Sequence, residues 1–238
     1  MANLHGKDKA KHVVRLFRRI ANSYDLLNTL MSGGRHRDWR KQAIQMFNLS
    51  KNGIAIDVAT GTGDFSIEIS QFTNVEKVFG VDFAKEMVAL AQKKSLNLKT
   101  NNKIFYIEAD ASFLPFKNSI FQYATIGFGI RNFYDLSKGL SEVRRVLKEN
   151  GELIILEIVR HEKNIFSKIF FRCFDLVAPI LGYVFARDRG AYKYLTKSAE
   201  MFFTAEELSS FLKDQGFNIV SKKSIAFGNV SILLCSKK

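Results

Sequence analysis

The stretch that most constrains how this chain can fold is Ile54–Val58, a run that is apolar except for Asp57 and leads directly into a turn at residues 59–63. A short apolar run without alternating polar residues predicts a strand that is buried on both faces. Gly61 and Gly63 let the backbone turn sharply and approach a ligand closely, because neither residue has a Cβ atom. The sequence therefore predicts a buried strand that ends at a ligand site.

The residues after the turn permit either a strand or a helix. Phe65, Ile67 and Ile69 alternate with polar residues, as they would along a half-buried strand. We predict instead a helix that begins at Asp64, because a strand, a glycine turn and a helix form one coherent unit. The first backbone N–H groups of such a helix have no partner within it and would face a bound ligand.

The turn matches the dinucleotide-binding fingerprint poorly, because Ser66 occupies its third glycine position. That fingerprint also expects an acidic residue about 20 positions further on. Asp82 meets this expectation at the end of a second apolar run, residues 78–82. A carboxylate at a strand end is suited to accept hydrogen bonds from the two hydroxyls of a ribose. This suits NAD and the adenosine of S-adenosylmethionine equally well.

Three features favour S-adenosylmethionine over NAD. The third glycine of the fingerprint is missing, and Asp57 lies four residues before Gly61, where it could reach the amino acid end of the cofactor. A third apolar run, residues 103–109, ends in Asp110 and Ala111, which are candidates to bind the adenine amino group. Acidic residues at three successive strand ends therefore predict a nucleoside cofactor site. Its predicted members are Asp57, Gly61, Gly63, Asp82, Asp110 and Ala111.

The order of apolar runs predicts an α/β fold with a doubly wound, mostly parallel, seven-stranded sheet. The predicted strands are residues 54–58, 78–82, 103–109, 120–126, 153–159, 217–220 and 230–235. We expect the last two to form an antiparallel pair at the edge of the sheet. Ligands bind such sheets at the carboxyl ends of the strands. The residues predicted to meet there are Asp57, Asp82, Asp110, Arg131 and Glu157.

Local signals define several helices. Residues 136–147 have apolar side chains at helical spacing, and residues 148–151 are predicted to stop that helix, with Gly151 as a left-handed cap. Residues 204–207 form a capping box that opens a last helix. Residues 24–40 combine the only tryptophan, a histidine and five charged residues around Gly33 and Gly34. A polar, hinged segment ahead of a cofactor domain predicts a lid or substrate cap.

The composition indicates one domain. The 238 residues are 47% hydrophobic, which is enough for a sizeable core, and no Pro/Gly/Ser-rich linker divides them. Within a single domain of residues 1–238, we expect a helical lid at 1–50, a cofactor-binding core at 51–160, and substrate-side helices and edge strands at 161–238. The two cysteines lack metal-ligand spacing, so we expect no metal site and inert thiols in a reducing cytoplasm. The N-terminus lacks the apolar segment of a signal peptide.

The net charge of +13 favours an anionic partner, either a nucleic acid or a membrane surface, although solubility alone would also account for it. Residues 165–189 are rich in phenylalanine but are too short and too charged to span a bilayer. That stretch could lie on a membrane, line an apolar pocket or form a core helix.

From about Val13 to the C-terminus, the chain resembles the ubiquinone/menaquinone C-methyltransferases. The glycine turn is common among methyltransferases, whereas the Arg131-Asn132 pair and the Tyr24-Asp25 pair together are much more specific. The motifs that carry the resemblance are Phe17, Tyr24-Asp25, Asn28, Met31-Ser32, His36-Arg37, Trp39, residues 57–64, residues 128–132 and residues 192–198.

The resemblance implies a class I S-adenosylmethionine-dependent methyltransferase fold and methylation of a ring carbon in a polyprenyl quinol. The acceptor would be demethylmenaquinol, 2-polyprenyl-6-methoxy-1,4-benzoquinol, or both. The family's cofactor positions fall on Thr62, Asp82 and Asp110-Ala111. A fourth position, a serine in some members, is Gly127 here, so that side-chain contact is lost.

A substrate with a polyprenyl tail resides in a membrane. We therefore expect a cytoplasmic protein that makes peripheral contact with the anionic inner face of the cytoplasmic membrane. A homodimer or a quinone-biosynthesis complex is compatible with the sequence. The ring carbon of a quinol is a poor nucleophile unless a neighbouring hydroxyl is ionised. We expect Arg131 to stabilise that oxyanion and Asn132 to orient it, with His36, Tyr24 and Asp25 as candidate proton acceptors.

Other interpretations remain open at this level. Arg131 could instead form an ion pair with Asp135 or Glu142. An RNA methyltransferase would explain the charge, but the fourth strand does not end in the Asn/Asp-Pro-Pro-aromatic tetrapeptide expected of enzymes that methylate base nitrogens. No nucleic acid partner is therefore expected. A non-catalytic membrane scaffold and an NAD dehydrogenase are the weaker alternatives.

Overall fold

The computed structural model describes residues 6–48, 53–98, 102–160 and 189–238, together with residues 172 and 176; for residues 6–11 and 189–193 it describes the backbone alone. The phenylalanine-rich stretch at 165–189, with Cys173, lies almost entirely outside the described residues. Which of its three predicted roles it has therefore stays a prediction.

Seven strands form one sheet in the described part of the chain. They are β1 (Ile54–Val58), β2 (Lys77–Asp82), β3 (Ile104–Glu108), β4 (Phe121–Gly127), β5 (Leu147–Ile158), β6 (Phe217–Ile225) and β7 (Val230–Lys237). Their order in the sheet is β3-β2-β1-β4-β5-β7-β6. The predicted mostly parallel sheet is confirmed: β1 to β5 pair in parallel, and β7 is antiparallel to both β5 and β6.

The chain reverses its winding direction between β1 and β4. It builds β2 and β3 on one side of β1, and then crosses over to place β4 on the other side. Loops that leave the carboxyl ends of β1 and β4 therefore diverge, and such a switch point is where doubly wound sheets open a crevice. The predicted ligand-binding strand ends lie along this edge.

Eight α-helices are described. They are α1 (Gly6–Ile20), α2 (Tyr24–Ser32), α3 (His36–Ile44), α4 (Asp64–Phe72), α5 (Lys85–Asn97), α6 (Leu136–Val146), α7 (Arg189–Glu200) and α8 (Ala205–Asp214). The helix predicted to begin at Asp64 is confirmed. The predicted capping box is also confirmed, because Thr204 accepts a hydrogen bond from the backbone N–H of Glu207 while the Glu207 carboxylate accepts one from that of Thr204. Gly33 and Gly34, where the hinge is predicted, are both left-handed and form the turn between α2 and α3.

The predicted helix stop at Gly151 is wrong. The helix already ends at Val146, and β5 begins at Leu147, which pairs with Phe121 of β4. The left-handed residue is Asn150, with φ of 56°. Gly151 is required for a different reason: a Cβ atom there would lie 2.8 Å from the carbonyl oxygen of Lys148. A tight turn within an irregular strand thus produced a signal that resembles a helix terminus.

Apolar residues on both faces of the sheet hold these layers together. Ile56 and Val58 belong to one buried cluster, whereas Ala55, the neighbour of Ile56, belongs to a second cluster on the opposite face. Helices α6 and α8 contribute to the first cluster, and α3 and α4 contribute to the second. Because β1 is buried on both faces, its carboxyl end is a rigid base for the turn that follows.

Candidate functional site

Two adjoining cavities lie at the carboxyl ends of the strands. The strand-end cavity occupies about 780 Å³, a volume that includes space open to solvent, and is lined by the ends of β1 to β4 and by α1. The helix cavity occupies about 1260 Å³ on the same basis and is lined by α2, α3, the end of β5 and the β6–β7 turn. Tyr24 and Phe128 line both cavities. The two cavities therefore adjoin at these two rings, where a molecule bound in one cavity could contact a molecule bound in the other.

Asp57 organises the glycine turn. Its buried Oδ2 atom accepts hydrogen bonds from Thr60 Oγ1 at 2.6 Å and from Ser66 Oγ at 2.8 Å, and Oδ1 accepts one from Thr125 Oγ1 at 2.8 Å. Burial raises the pKa of Asp57, and these hydrogen bonds partly counteract that effect. Asp57 is only 1% exposed and lines neither cavity. The structure therefore places Asp57 beneath the turn, and its contact with a cofactor stays a prediction.

The start of the turn depends on a close approach of two loops. Ala59 is left-handed with φ of 56°, a conformation that favours glycine. A Cβ atom added to Gly129 would lie 2.6 Å from the Cβ of Ala59. Ala59 is accommodated here because Gly129, on the neighbouring loop, has no side chain. Gly61 follows with φ of 55° and lines the strand-end cavity, whereas Gly63, with φ of 81°, packs behind the turn against Tyr106.

Asp82 is placed as the sequence predicts, on the wall of the strand-end cavity. Its Oδ2 accepts a hydrogen bond from the backbone N–H of Gly61 at 2.8 Å, and its Oδ1 accepts one from that of Ala84 at 2.9 Å. These contacts tie the ends of β1 and β2 together. Burial raises the pKa of Asp82 to about 6, because the charged form loses water that two amide donors only partly replace.

Three further predicted cofactor residues line the strand-end cavity: Asp110, Ala111 and Gly127. Asp110 begins a tight turn in which its Oδ1 accepts a hydrogen bond from the backbone N–H of Ser112 at 2.8 Å. A Cβ atom on Gly127 would lie 2.6 Å from the ring of Phe65. The ring of Phe65 therefore fills the space that the side chain of a serine would need at this position.

Asn132 lines the strand-end cavity rather than the helix cavity. Its Oδ1 atom is buried, and among the described residues that atom has no hydrogen-bond partner. A buried acceptor without a donor is costly unless a ligand supplies one. The cavity thus offers the acidic groups of Asp82 and Asp110 together with an unsatisfied amide oxygen. Hydroxyl, amino and ammonium groups, all of which S-adenosylmethionine carries, are the donors that fit this wall.

Arg131 projects from the end of β4 toward the helix cavity and is held there by Glu157 of β5. Its Nη1 donates hydrogen bonds to the Glu157 carboxylate and, at 3.0 Å, to the carbonyl oxygen of Phe128. Glu157 is fully buried, which raises the pKa of its carboxyl group, while the charge of Arg131 opposes that shift. The predicted alternatives for Arg131 are both wrong: Glu142 pairs with Arg145, and Asp135 caps α6.

His36 lies at the start of α3, buried in the wall of the helix cavity. Its Nδ1 is 2.8 Å from Ser32 Oγ, at the end of α2. Burial, and to a lesser extent the charge of Arg40, lowers the pKa of His36 to about 4. The imidazole is therefore neutral at pH 7. Burial has the opposite effect on Tyr24, whose pKa is raised, so its hydroxyl remains protonated at that pH.

Asp25 lies outside both cavities, and its Oδ2 forms an ion pair with Lys94 of α5 at 2.5 Å. Its Oδ1 accepts a hydrogen bond from Thr62 Oγ1 at 2.6 Å. Lys94 also pairs with Asp64 at 2.6 Å. Asp25 and Thr62 therefore join helix α2 to the glycine turn.

Several residues of the site were not predicted from the sequence. The Asp57 carboxylate accepts hydrogen bonds from the hydroxyls of Thr60, Ser66 and Thr125. The only sequence signal for these donors was the carboxylate itself, because an acidic side chain inside an apolar strand requires them. Lys94 gave no signal, since a lysine on an amphipathic helix is usually solvent-exposed. Trp39 and Phe128 form an aromatic wall of the helix cavity, with ring centroids 6.3 Å apart. The only sequence signal for this wall was the concentration of polar and aromatic residues around Gly33 and Gly34.

Two searches of the described residues gave negative results. No helix there combines the length and the apolar character needed to cross a membrane. Likewise, the described residues contain no group of three or more His, Cys, Asp or Glu side chains placed to hold a metal ion.

Comparison with known proteins identifies close relatives. Residues 5–237 match the model of the ubiE/COQ5 methyltransferase family. The ubiquinone/menaquinone biosynthesis C-methyltransferase UbiE of Geobacter sulfurreducens is 38% identical over 226 residues, which cover 94% of this chain and 88% of that protein. The demethylmenaquinone methyltransferase of Bacteroides fragilis is 34% identical over 96% of this chain and 94% of its own length.

Solved structures support the fold. A SAM-dependent methyltransferase from Aquifex aeolicus superposes with a TM-score of 0.63 at 19% identity, covering 89% of this chain and 96% of that one. The predicted class I methyltransferase fold is thereby confirmed.

The buried ion pair leads to a prediction about stability. Arg131→Ala should lower the free energy of unfolding in urea by about 3–5 kcal/mol, because it leaves the Glu157 carboxylate buried without a counter-charge. The double variant Arg131→Gln/Glu157→Gln should be clearly more stable than Arg131→Ala, because it removes both buried charges. Arg18→Ala removes an exposed ion pair with Glu86 and serves as the control, with an expected change of about 1 kcal/mol or less. Equal effects of Arg131→Ala and Arg18→Ala would contradict this interpretation.

Proposed function

This chain belongs to the ubiE/COQ5 methyltransferase family, and from that membership we propose that it methylates a ring carbon of a polyprenyl quinol with S-adenosylmethionine. The observation that supports the proposal most directly is the pair of cavities that meet at Tyr24 and Phe128. The strand-end cavity is suited to the cofactor and the helix cavity to the quinol ring. When bound, S-adenosylmethionine supplies an electrophilic methyl group on a sulfonium sulfur.

We assign Asp82 to the ribose hydroxyls and Asp110 with Ala111 to the adenine amino group. The unsatisfied Oδ1 atom of Asn132 is suited to accept a hydrogen bond from the ammonium group at the amino acid end of the cofactor. This assignment moves Asn132 from the quinol to the cofactor. It leaves Asp57 and Gly63 as the supports of the turn, while Gly61 and Gly127 keep its surface free of side chains.

Alignment is the main contribution that such an enzyme makes to methyl transfer. The ring carbon becomes a competent nucleophile when a neighbouring hydroxyl loses its proton, and a phenol has a pKa of about 10. In this proposal, the guanidinium of Arg131 faces the ring from the wall of the helix cavity and stabilises the developing oxyanion. Glu157, behind Arg131, keeps the guanidinium in place, so that the positive end of the ion pair points toward the quinol.

The three candidate proton acceptors differ in their surroundings. Asp25 is engaged with Lys94 and Thr62 and lines neither cavity. Tyr24 keeps its proton at neutral pH, because burial raises the pKa of its hydroxyl, so it acts as a hydrogen-bond donor between the cavities. His36 is neutral and lines the helix cavity. Of these three, His36 is therefore the side chain suited to accept a hydrogen bond from a quinol hydroxyl.

The N-terminal helices α1 to α3 are proposed to act as a lid over both cavities. Val13 and Phe17 of α1 line the strand-end cavity, and α2 and α3 supply much of the wall of the helix cavity. The Asp25–Lys94 ion pair fastens α2 to the cofactor-binding core. Opening at the left-handed hinge of Gly33 and Gly34 would expose the helix cavity to a bulky acceptor.

The polyprenyl tail and the net charge of +13 suggest that the protein collects its acceptor at an anionic membrane surface. Phe227, which lines the helix cavity, is 71% exposed and therefore presents an apolar ring at the edge of that cavity.

Asp82 leads to a prediction about pH. Ribose hydroxyls donate to the ionised carboxylate, and protonation removes one acceptor, so cofactor affinity should fall as the pH decreases through about 6. Calorimetry should show that the affinity for the cofactor decreases about tenfold between pH 8 and pH 5, because the ionised fraction of the Asp82 carboxylate falls by about that factor. Asp82→Asn should bind weakly and lose this pH dependence. An unchanged dependence in Asp82→Asn would remove Asp82 from the assignment.

The reaction itself can be tested with labelled S-adenosylmethionine under reducing conditions. We expect the purified protein to transfer label to demethylmenaquinol, to the polyprenyl benzoquinol, or to both, and the ratio of the two products identifies the preferred ring. Arg131→Gln/Glu157→Gln should bind the cofactor normally and lose turnover, because the buried charges are removed together. Label found in RNA and in neither quinol would contradict the proposed acceptor.

Membrane contact can be tested by vesicle sedimentation. The protein should bind vesicles that contain anionic lipid, and raised salt should release it, because exposed charges are screened. Phe227→Ser should weaken binding without changing the net charge. Equal binding to vesicles of purely zwitterionic lipid would contradict an electrostatic attraction.

A further inference from the structure

Ser32 and His36 face each other across the hinge. Ser32 is the last residue of α2, and His36 is the first residue of α3. The Ser32 Oγ atom has three polar neighbours: the carbonyl oxygen of Asn28 at 2.6 Å, the Nδ1 atom of His36 at 2.8 Å and the backbone N–H of His36 at 3.4 Å.

These contacts determine the direction of each hydrogen bond. A serine hydroxyl carries a single proton. A carbonyl oxygen can only accept, so that proton points to Asn28. The Ser32 Oγ atom must then accept from His36, and the donor is an Nδ1–H group. Because the imidazole is neutral, its second nitrogen, Nε2, carries a lone pair and no proton.

The surroundings of Nε2 make this tautomer functionally relevant. His36 lines the helix cavity together with Trp39 and Arg131. Within the part of the chain that the structure describes, the hydrogen bonds of His36 are made by Nδ1 and by the backbone N–H, and none involves Nε2. The ring lies among charges of both signs, with Arg40 and Arg37 opposing its protonation and Asp64 and Asp25 favouring it, and burial is the largest influence of all. The ring therefore stays neutral.

We propose that Ser32 is a positioning residue that holds His36 in the Nδ1–H tautomer, so that Nε2 accepts a hydrogen bond from a hydroxyl of the acceptor in the helix cavity. This inference rests on the proposed function for the identity of the acceptor. An Nε2–H group at the same place could only donate to the oxygen of that hydroxyl and could not accept its hydrogen. The backbone carbonyl of Asn28 thereby selects, through Ser32, which end of the imidazole can meet the quinol.

The arrangement also explains why the hinge joins these two helices so tightly. Gly33 and Gly34 are both left-handed, with φ of 59° and 78°, and this reverses the chain within two residues. The reversal brings the first residue of α3 back to the last residue of α2. The 2.8 Å contact between Ser32 Oγ and His36 Nδ1 depends on this reversal.

The tautomer can be measured without any assay of activity. Nitrogen-15 NMR of labelled histidine at pH 7 distinguishes Nδ1–H from Nε2–H, and the signal of His36 is identified by its loss in His36→Ala. The wild-type ring should be the Nδ1–H form. Ser32→Ala should shift it toward Nε2–H, whereas Ser32→Thr, which keeps the hydroxyl, should preserve the wild-type signature. A wild-type ring in the Nε2–H form would overturn the proposal, whatever the acceptor is.

Kinetics test the consequence for the reaction. Ser32→Ala should lower kcat about tenfold, the effect expected from the loss of one oriented hydrogen bond, and Ser32→Thr should restore most of it. Ser32→Ala should have no further effect in a His36→Ala background, since its role acts through that ring. Equal losses in both backgrounds would mean that Ser32 is merely structural. A correct tautomer in a protein that methylates neither quinol would refute the proposed function and leave the tautomer assignment standing.

Discussion

The site depends on one buried carboxylate that is fully engaged with its own turn. Asp57 sits at the end of a strand covered on both faces, and it accepts hydrogen bonds from Thr60, Ser66 and Thr125. A buried carboxyl group is tolerated only when such donors surround it. The same hydrogen bonds connect β1 to the turn, to the first residues of α4 and to β4. The hydrogen-bonding needs of this single carboxyl group thus tie together the elements that meet at the switch point.

A second buried charge is used differently. Glu157 is paired with Arg131, and the pair is oriented so that the guanidinium, not the carboxylate, reaches the helix cavity. Buried ion pairs often contribute little net stability, because the cost of removing both groups from water offsets their attraction. A cationic group held at a fixed position next to a cavity is nevertheless useful for a reaction that develops an oxyanion. We therefore infer that this ion pair serves to hold the Arg131 guanidinium in position and not to stabilise the fold.

Two polar groups in the wall of the helix cavity are uncharged. Burial raises the pKa of Tyr24 and lowers that of His36, so both stay uncharged near pH 7. Among the described residues, the charged side chains that line the same cavity are all cationic, namely Arg35, Arg40 and Arg131, whereas the cluster of Asp25, Lys94 and Asp64 lies outside it. A quinol ring in this cavity would thus contact neutral hydrogen-bonding groups and aromatic faces beside guanidinium groups that can stabilise an oxyanion.

The sequence by itself determined most of the described strands and helices, the mostly parallel sheet and the edge at which the two cavities lie. These follow from local signals: apolar runs, the glycine turn, the capping box at Thr204 and the hinge at Gly33. Such signals act over a few residues, so they can be interpreted without knowledge of distant partners. The exception, Gly151, shows their limit, since a close backbone approach within a strand needs glycine as much as a helix terminus does.

Only the tertiary structure decided which polar group meets which. Glu157 is 26 residues from Arg131, and Thr62 is 37 residues from Asp25. The burial of Asp57 beneath the turn and the position of Asn132 in the wall of the strand-end cavity likewise depend on contacts between separate strands and loops. Hydrogen bonds and ion pairs act over about 3 Å, and the sequence pattern alone does not specify positions to that precision. The sequence indicated the chemistry of the residues, whereas the packing of the strands determined their partners.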